Sequence, residues 1–250
     1  MAIHIKTQEQ IEKMKVAGAI LARLDEILKR EIKVGVTTKQ LDAIAEDYIR
    51  SQGAIPSFKG YGGFPGSICT SVNDEIVHGI PSDRKLKQGD IISIDMGSYI
   101  GGFHGDAART YAVGEIAPGA QKLIDVTKQS FFEGIQYARQ GCRLNEIGTA
   151  IQKYVEKNGF SVVRDYVGHG IGRKLHEDPS VANYKEQRKG VTLKQGMVLA
   201  IEPMVNMGSY QLKVLKDGWT AVTKDGLYAA HYENTVVITN GEPEILTLLP

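Results

Sequence analysis

LKQGDIISID, Leu86 to Asp95, is echoed by LKQGMVLAIE, Leu193 to Glu202, 107 residues further along the chain. A second pair keeps nearly the same spacing: GVTTKQLDAIAEDYIRSQG, Gly35 to Gly53, corresponds to GCRLNEIGTAIQKYVEKNG, Gly141 to Gly159, 106 residues on. Two similarities in the same order at almost one offset indicate two related halves, approximately residues 1–115 and 116–250. Each half supplies a helix followed by a β-rich segment. Two such units predict an α/β (α+β) arrangement with approximate twofold symmetry, a central β core and outer helices. The repeat also makes Asp95 and Glu202 the ends of equivalent strands, so two carboxylates distant in sequence are expected to meet.

Local patterns agree with this organisation. Thr7 and Gln10 form a capping-box signature ahead of an apolar stripe at Ile11, Met14, Leu21, Leu24 and Leu28, and Thr37 with Gln40 repeats it before Leu41, Ile44, Tyr48 and Ile49. Ile124, Phe131 and Ile135 mark a third helix, and Leu144, Ile147, Ile151 and Tyr154 a fourth. Strands are expected at 67–72, 90–95, 108–113, 161–167, 197–201, 211–215 and 232–238. Gly97, Gly101, Gly102 and Gly105 crowd the link between Asp95 and Asp106, which places Asp106 in a tight turn and lets both acids face one centre.

The bulk numbers bound the function. A chain of 250 residues can bury a large core, and 30 Lys plus Arg against 29 Asp plus Glu leave a net charge of +1, with no long-range field for nucleic acid. Only Cys69 and Cys142 are present, which excludes a disulfide framework and suits a reducing compartment. MAIHIKTQEQ lacks the apolar core of a secretory signal, and no run approaches a membrane span, so a cytoplasmic protein is expected.

Acids interrupt apolar strands at three places: Asp95 in IISID, Glu202 in VLAIEP and Glu233 in AAHYENTVVI. A buried carboxylate is costly unless it is paired or holds a metal, and such hard ligands suit Mn, Mg, Co or Fe, with Zn tolerating carboxylate beside histidine. Taken alone, Asp106 reads equally as a turn cap, and Glu233 equally as a solvent-facing strand acid. His169 stands among Gly168, Gly170 and Gly172, which leave room around its imidazole. His4 and His104 read as ordinary hydrogen-bonded histidines, and His231 as a neighbour of the acids rather than a ligand. GGFPGS lacks the ending of a phosphate loop, GHGIG lacks dinucleotide-loop spacing, and Cys69 has no visible triad.

IISIDMG, FHGDAARTY, VGHGIGRKLHEDP, LAIEPM and YENTVV together resemble the bacterial type I methionine aminopeptidases, over essentially the whole chain. The resemblance implies one catalytic domain over 1–250 with the duplicated pita-bread fold. It implies two divalent ions (Co, Mn, Fe or Zn) held by Asp95, Asp106, His169, Glu202 and Glu233. His78 and His176 match the substrate-contacting histidines that assist the transition state, and Glu202 is the proton acceptor for a metal-activated water. Phe58, Tyr61, Phe64, Cys69, Leu175 and Trp219 match the methionine pocket. The implied substrates are N-terminal methionine peptides and nascent chains with a small second residue, cut by a monomer in transient contact with the ribosome, without nucleic-acid or membrane function. Two alternatives share the fold: a proline-specific aminopeptidase, whose relatives usually carry a large preceding domain, and a non-catalytic binding protein, whose mark is a missing ligand.

Overall fold

The structure is a computed structural model that describes residues 3–249. Met1, Ala2 and Pro250, the extremes of the expected 1–250 domain, lie outside the described residues. Helices α1 (Gln8–Glu31) and α2 (Thr38–Ser51) precede strands β1 (Ile55–Pro56), β2 (Ile68–Val72), β3 (Glu75–Val77), β4 (Ile91–Ile100) and β5 (Phe103–Ala112). Helices α3 (Pro118–Ile135) and α4 (Leu144–Lys157) then precede β6 (Ser161–Val162), β7 (Gly168–Gly170), β8 (Glu177–Val181), β9 (Val198–Ile201) and β10 (Met204–Asn206). Strands β11 (Leu212–Val214), β12 (Ala221–Thr223), β13 (Ala229–His231), β14 (Glu233–Val237) and β15 (Glu244–Ile245) complete the chain. Helices before strands in each half is the order the repeat predicts.

Both expected capping boxes form. Thr7 Oγ1 accepts from the Gln10 backbone at 3.3 Å while Gln10 Oε1 accepts from the Thr7 backbone at 3.1 Å, and Thr37 with Gln40 does the same at 3.1 and 2.8 Å. Each exchange satisfies two amides that the first helical turn leaves without partners. Leu21, Leu24 and Leu28 then face the core with no exposed surface, each burial stabilising by roughly 1.5–3 kcal/mol.

The main sheet has nine strands in the order β1-β4-β5-β14-β9-β7-β8, with β2 also on β4 and β15 on β14. Its centre is the antiparallel pair β5 and β14, one from each half, flanked symmetrically by β4 and β9, the strands of the repeated LKQG segments. Helices α1 and α2 pack on Ile92, Ile94 and Met96 of β4, while α3 and α4 pack on Leu199, Ile201 and Val236. In a strand, alternate residues share a face, so Asp95 and Glu233, one step out of phase with these apolar residues, point away from the helices. Two three-stranded sheets, β13-β10-β6 and β11-β12-β3, adjoin this core.

Helix α1 reaches β5 at backbone distance. A Cβ on Gly105 would sit 3.1 Å from the Gly18 nitrogen, and one on Gly18 would sit 2.1 Å from the Leu246 carbonyl oxygen. Ser98 Oγ ties β4 to this helix by donating to the Ala17 carbonyl at 2.9 Å.

Two expectations about the acids, and two strand ranges, need correction. Asp106 is not in a turn: β5 begins at Phe103, and only Gly101 and Gly102, with φ of 60° and 85°, make the reversal. Asp95 does not end its strand, because β4 runs on to Ile100 and pairs continuously with β5. The cluster of glycines suggested a long loop, but the last of them, Gly105, serves close packing inside a strand. The expected strands at 161–167 and 211–215 shorten to Ser161–Val162 and Leu212–Val214.

Candidate active site and metal centre

Strand register gathers the acids. Asp95 pairs with Ala108, and Ala108 pairs in turn with Glu233, so these three residues share one face across β4, β5 and β14. Asp106, two residues from Ala108, shares that face. Asn234 pairs with Ile201, which puts Glu202 opposite Glu233, and Ala200, two residues earlier, pairs with His169. All five residues from the expected metal set therefore project from one side of the sheet. A shift of one residue in any of these ladders would turn its member toward the helices.

Asp106, His169 and Glu233 each offer a ligand atom within 4.8 Å of the others. Asp95 and Glu202 border this group: His169 Nε2 is 3.6 Å from Glu202 Oε1 and 3.7 Å from Asp106 Oδ2. Asp95 Oδ1, Asp106 Oδ1 and Glu233 Oε1 are buried without a hydrogen-bond partner. Unpartnered carboxylate oxygens converging in a buried space are what a cation would satisfy. Burial moves the Asp95 carboxyl up to about 7, partly offset by the Met96 backbone and Asp106. Asp106, Glu202 and Glu233 are pushed well above the usual carboxylate range, first by burial and then by the charges of their neighbours. A divalent ion would reverse both causes and restore the carboxylates.

His169 is prepared as a ligand. Its Nδ1 lies 2.9 Å from the Gly170 carbonyl oxygen, which only accepts, so Nδ1 carries the proton and Nε2 presents its lone pair to the acids. Burial lowers its pKa to about 3, with the neighbouring His176 acting in the same direction, so the ring is neutral at physiological pH.

A cavity of about 160 Å³ opens on this cluster. Every residue expected for the side-chain pocket lines it: Phe58, Tyr61, Phe64, Cys69, Leu175 and Trp219, together with His78, His176 and the four acids and one histidine of the cluster. Phe64 and Trp219 meet edge to face at 5.2 Å, which fixes one apolar wall. Gly97 opens another, since a Cβ there would fall 2.7 Å from the Phe58 ring and 2.7 Å from Ser57 Cβ. Cys69 pairs with Asp95 across β2 and β4, and burial and the acids raise its thiol pKa well above the ordinary value. That keeps it protonated as pocket wall rather than as a thiolate nucleophile.

His78 stands just after β3 with φ of 61°, a left-handed conformation rare outside glycine. Its ring packs edge to face with Tyr166 at 5.2 Å, and burial lowers its pKa to about 4, helped by His176. His176 packs 4.3 Å from the His169 ring, and burial lowers its pKa too. Both are neutral hydrogen-bonding groups near pH 7.

Three neighbours were not in the expected pocket. Val77 lines the cavity directly before His78. His231 is buried with Nε2 unpartnered, 3.9 Å from Glu202 Oε2, consistent with a role beside the acids. Arg109 donates to the Glu233 carbonyl, and also to Asn234 Oδ1 at 2.7 Å and the Thr247 carbonyl at 3.2 Å, with Tyr232 under its guanidinium at 4.4 Å. His104, bonded to Ser57 Oγ at 2.9 Å and packed at a tilt against the Tyr99 ring, is the ordinary histidine the sequence suggests.

Comparison with known proteins converges on this geometry. Residues 12–240 match metallopeptidase family M24. The chain is 56% identical over 247 residues to the methionine aminopeptidase of Clostridium perfringens, covering 99% of each chain. It is 57% identical over 242 residues to methionine aminopeptidase 1 of Bacillus subtilis, covering 97% of this chain and 98% of the relative. Its structure superposes on the crystal structure of methionine aminopeptidase from Thermotoga maritima with a TM-score of 0.97 at 45% identity, covering 99% of this chain and 100% of the other. A duplicated sheet that brings acids from both halves to one buried centre, matched over nearly its full length in sequence and in structure, places this chain in metallopeptidase family M24, with that family's pita-bread fold.

Proposed function

We propose that this protein is a methionyl aminopeptidase that removes N-terminal methionine from peptides and nascent chains, preferring a small second residue. The observation that carries the reading is the junction of an apolar and aromatic cavity of about 160 Å³ with the buried acid and histidine cluster. An unbranched, polarizable thioether suits aromatic and apolar walls. A free amino group would serve as a neutral nitrogen donor to a metal held by the cluster, which favours chain ends over internal peptide bonds. Identity above 50% over the full length with the two bacterial relatives supports the same activity.

Asp95, Asp106, His169, Glu202 and Glu233 are the proposed ligands for two divalent ions, Co, Mn, Fe or Zn, which when bound supply an acidified water and polarise the scissile carbonyl. Glu202, at the edge of the cluster and 3.6 Å from His169 Nε2, accepts the proton of the attacking water and passes it to the leaving amine. His78 and His176, neutral at working pH, donate hydrogen bonds to the carbonyl oxygen as its charge grows. Phe58, Tyr61, Phe64, Cys69, Leu175 and Trp219 hold the methionine side chain. A continuous sheet joining β5 to β14 supports one catalytic domain with halves near 1–115 and 116–250.

Nascent chains as substrates make a cytoplasmic monomer in transient contact with the ribosome the cellular reading, with no nucleic-acid or membrane function. Among the described residues no helix is long and apolar enough to cross a membrane. The test is methionine release from Met-Ala-Ser and Met-Lys-Ser by metal-free protein reloaded separately with Mn, Co, Fe and Zn. The expected result is metal-dependent release from the first peptide and little from the second. No release with any metal, from folded protein that binds the ions, overturns the reading.

A further inference from the structure

We propose that Tyr61 is a positioning residue: its hydroxyl donates to Nδ1 of His176 and thereby holds His176 with Nε2–H turned to the reaction cavity. The inference rests on the aminopeptidase reading and gives Tyr61 a task beyond lining the pocket. Tyr61 Oη and His176 Nδ1 are 2.8 Å apart, although 115 residues separate them in the chain. The rings lie 5.2 Å apart at 46°, so this contact is a polar bridge from one wall of the cavity to the other rather than a stack.

The chain is built to place that hydroxyl. Tyr61 sits on a single 3-10 turn, with Gly60, Gly62 and Gly63 at φ of 84°, 56° and 91°. Backbone bonds from Tyr61 to the Phe58 carbonyl and from Phe64 to the Tyr61 carbonyl, at 2.9 and 3.0 Å, close the turn. Phe58 and Phe64 are buried on either side, whereas Tyr61 is 48% exposed. Such a residue gains little from burial. Two aromatic anchors and three left-handed glycines thus carry an exposed ring whose polar end meets one histidine nitrogen.

The direction of the bond follows from the chemistry of the two groups. A neutral imidazole has one N–H, and its bare nitrogen is a better acceptor than a phenol oxygen, while the phenol O–H is a more acidic donor than a neutral imidazole N–H. The bond is therefore strongest as Tyr61 O–H to Nδ1, which assigns the imidazole proton to Nε2. A carbonyl oxygen gaining negative charge needs that donor. Without the tyrosine hydroxyl, the ring is free to rotate about χ2 and exchange its two nitrogens, so the donor is in place for only part of the time. Binding of the methionine side chain needs the ring of Tyr61, whereas the rate of cleavage needs its hydroxyl.

Tyr61→Phe separates the two, because it keeps the ring at an exposed position and removes only the oxygen. For a single hydrogen bond that orients a catalytic donor, kcat for methionine release from Met-Ala-Ser is expected to fall about five- to tenfold, with KM changing less than twofold. Nitrogen NMR of protein labelled at histidine, metal-free and zinc-loaded, reads the positioning without any turnover. The wild type is expected to show His176 with a protonated Nε2 and a bare, hydrogen-bonded Nδ1, and Tyr61→Phe to move the Nδ1 resonance downfield as the bond is lost. A protonated Nδ1 in the wild type, a resonance indifferent to Tyr61→Phe, or an unchanged kcat overturns the inference. Absence of methionine release by wild-type protein with the expected nitrogen signature would instead count against the aminopeptidase reading, leaving the placement of His176 by Tyr61 established.

Discussion

Replacing Asp95 by Asn should stabilise the metal-free protein, and increasingly so as the pH rises. Asp95 is buried in β4 with one oxygen unpartnered, and its carboxyl titrates near 7 in the folded protein against an ordinary value of 3.8. The unfolded chain has lost this proton by pH 5, whereas the folded chain keeps it until about pH 7. An acid with a raised folded pKa loses stability as the pH climbs through that window, because the unfolded state binds fewer protons. Between pH 5 and pH 8 the loss is on the order of 3 kcal/mol, from about two pH units at about 1.4 kcal/mol each. Asn cannot ionise, so the difference between the two proteins isolates this carboxyl. Histidines with lowered pKa values, such as His169 and His231, have the opposite pH trend, but they are common to both proteins and largely cancel. Removing the charge also relieves Asp106, Glu202 and Glu233, which adds in the same direction. The assay is urea unfolding of chelator-treated wild type and Asp95→Asn at pH 5 and pH 8. A stability difference that does not shift toward the variant by at least about 1 kcal/mol would show that the acids are not held against their own desolvation.

Two further outcomes follow from side chains around the cluster. Gly97→Ala would bring a methyl to 2.7 Å from the Phe58 ring, displacing the pocket wall at about 1–3 kcal/mol of strain; KM for methionyl peptides in steady-state assays should rise more than kcat falls. Arg109→Met removes the donor to the Glu233 carbonyl, Asn234 and Thr247 and leaves Asp25, 3.7 Å away, without its cation. Unfolding of the metal-free variant should show a loss of about 3 kcal/mol, and calorimetry should show weaker metal binding because the backbone beneath Glu233 has lost its anchor.

What could be read in the sequence was whatever depends on local chemistry or on repetition. The capping boxes at Thr7 and Thr37 were legible because their donors and acceptors lie three residues apart. The LKQG repeat pointed to equivalent strands, and β4 and β9 do occupy equivalent places in the sheet. Asp95, Glu202 and Glu233 stood out as acids in apolar runs. Asp106 was misplaced because its glycine neighbours look alike in sequence, although Gly101 and Gly102 turn the chain and Gly105 gives room to α1. Short strands such as β7, β10 and β13 carry too little pattern to announce themselves; their pairing, His169 with Ala200 and Met204 with His231, joins segments well separated along the chain. For the same reason Arg109 under Glu233 and the Tyr61–His176 bridge were hidden: their partners lie 124 and 115 residues away. The five-residue cluster and the pocket were expected from family motifs, whereas strand register supplies the physical reason they converge.

Whether the buried acids hold the ions that drive methionine release is tested by a metal titration of metal-free protein in which bound ion and methionine release from Met-Ala-Ser are measured in the same sample, with Asp106→Asn alongside. Release is expected to rise in step with ion bound to wild type, and Asp106→Asn, folded, to lose both tight binding and release. Tight binding and undiminished release in Asp106→Asn, or release by wild type that is indifferent to the ion, would contradict it.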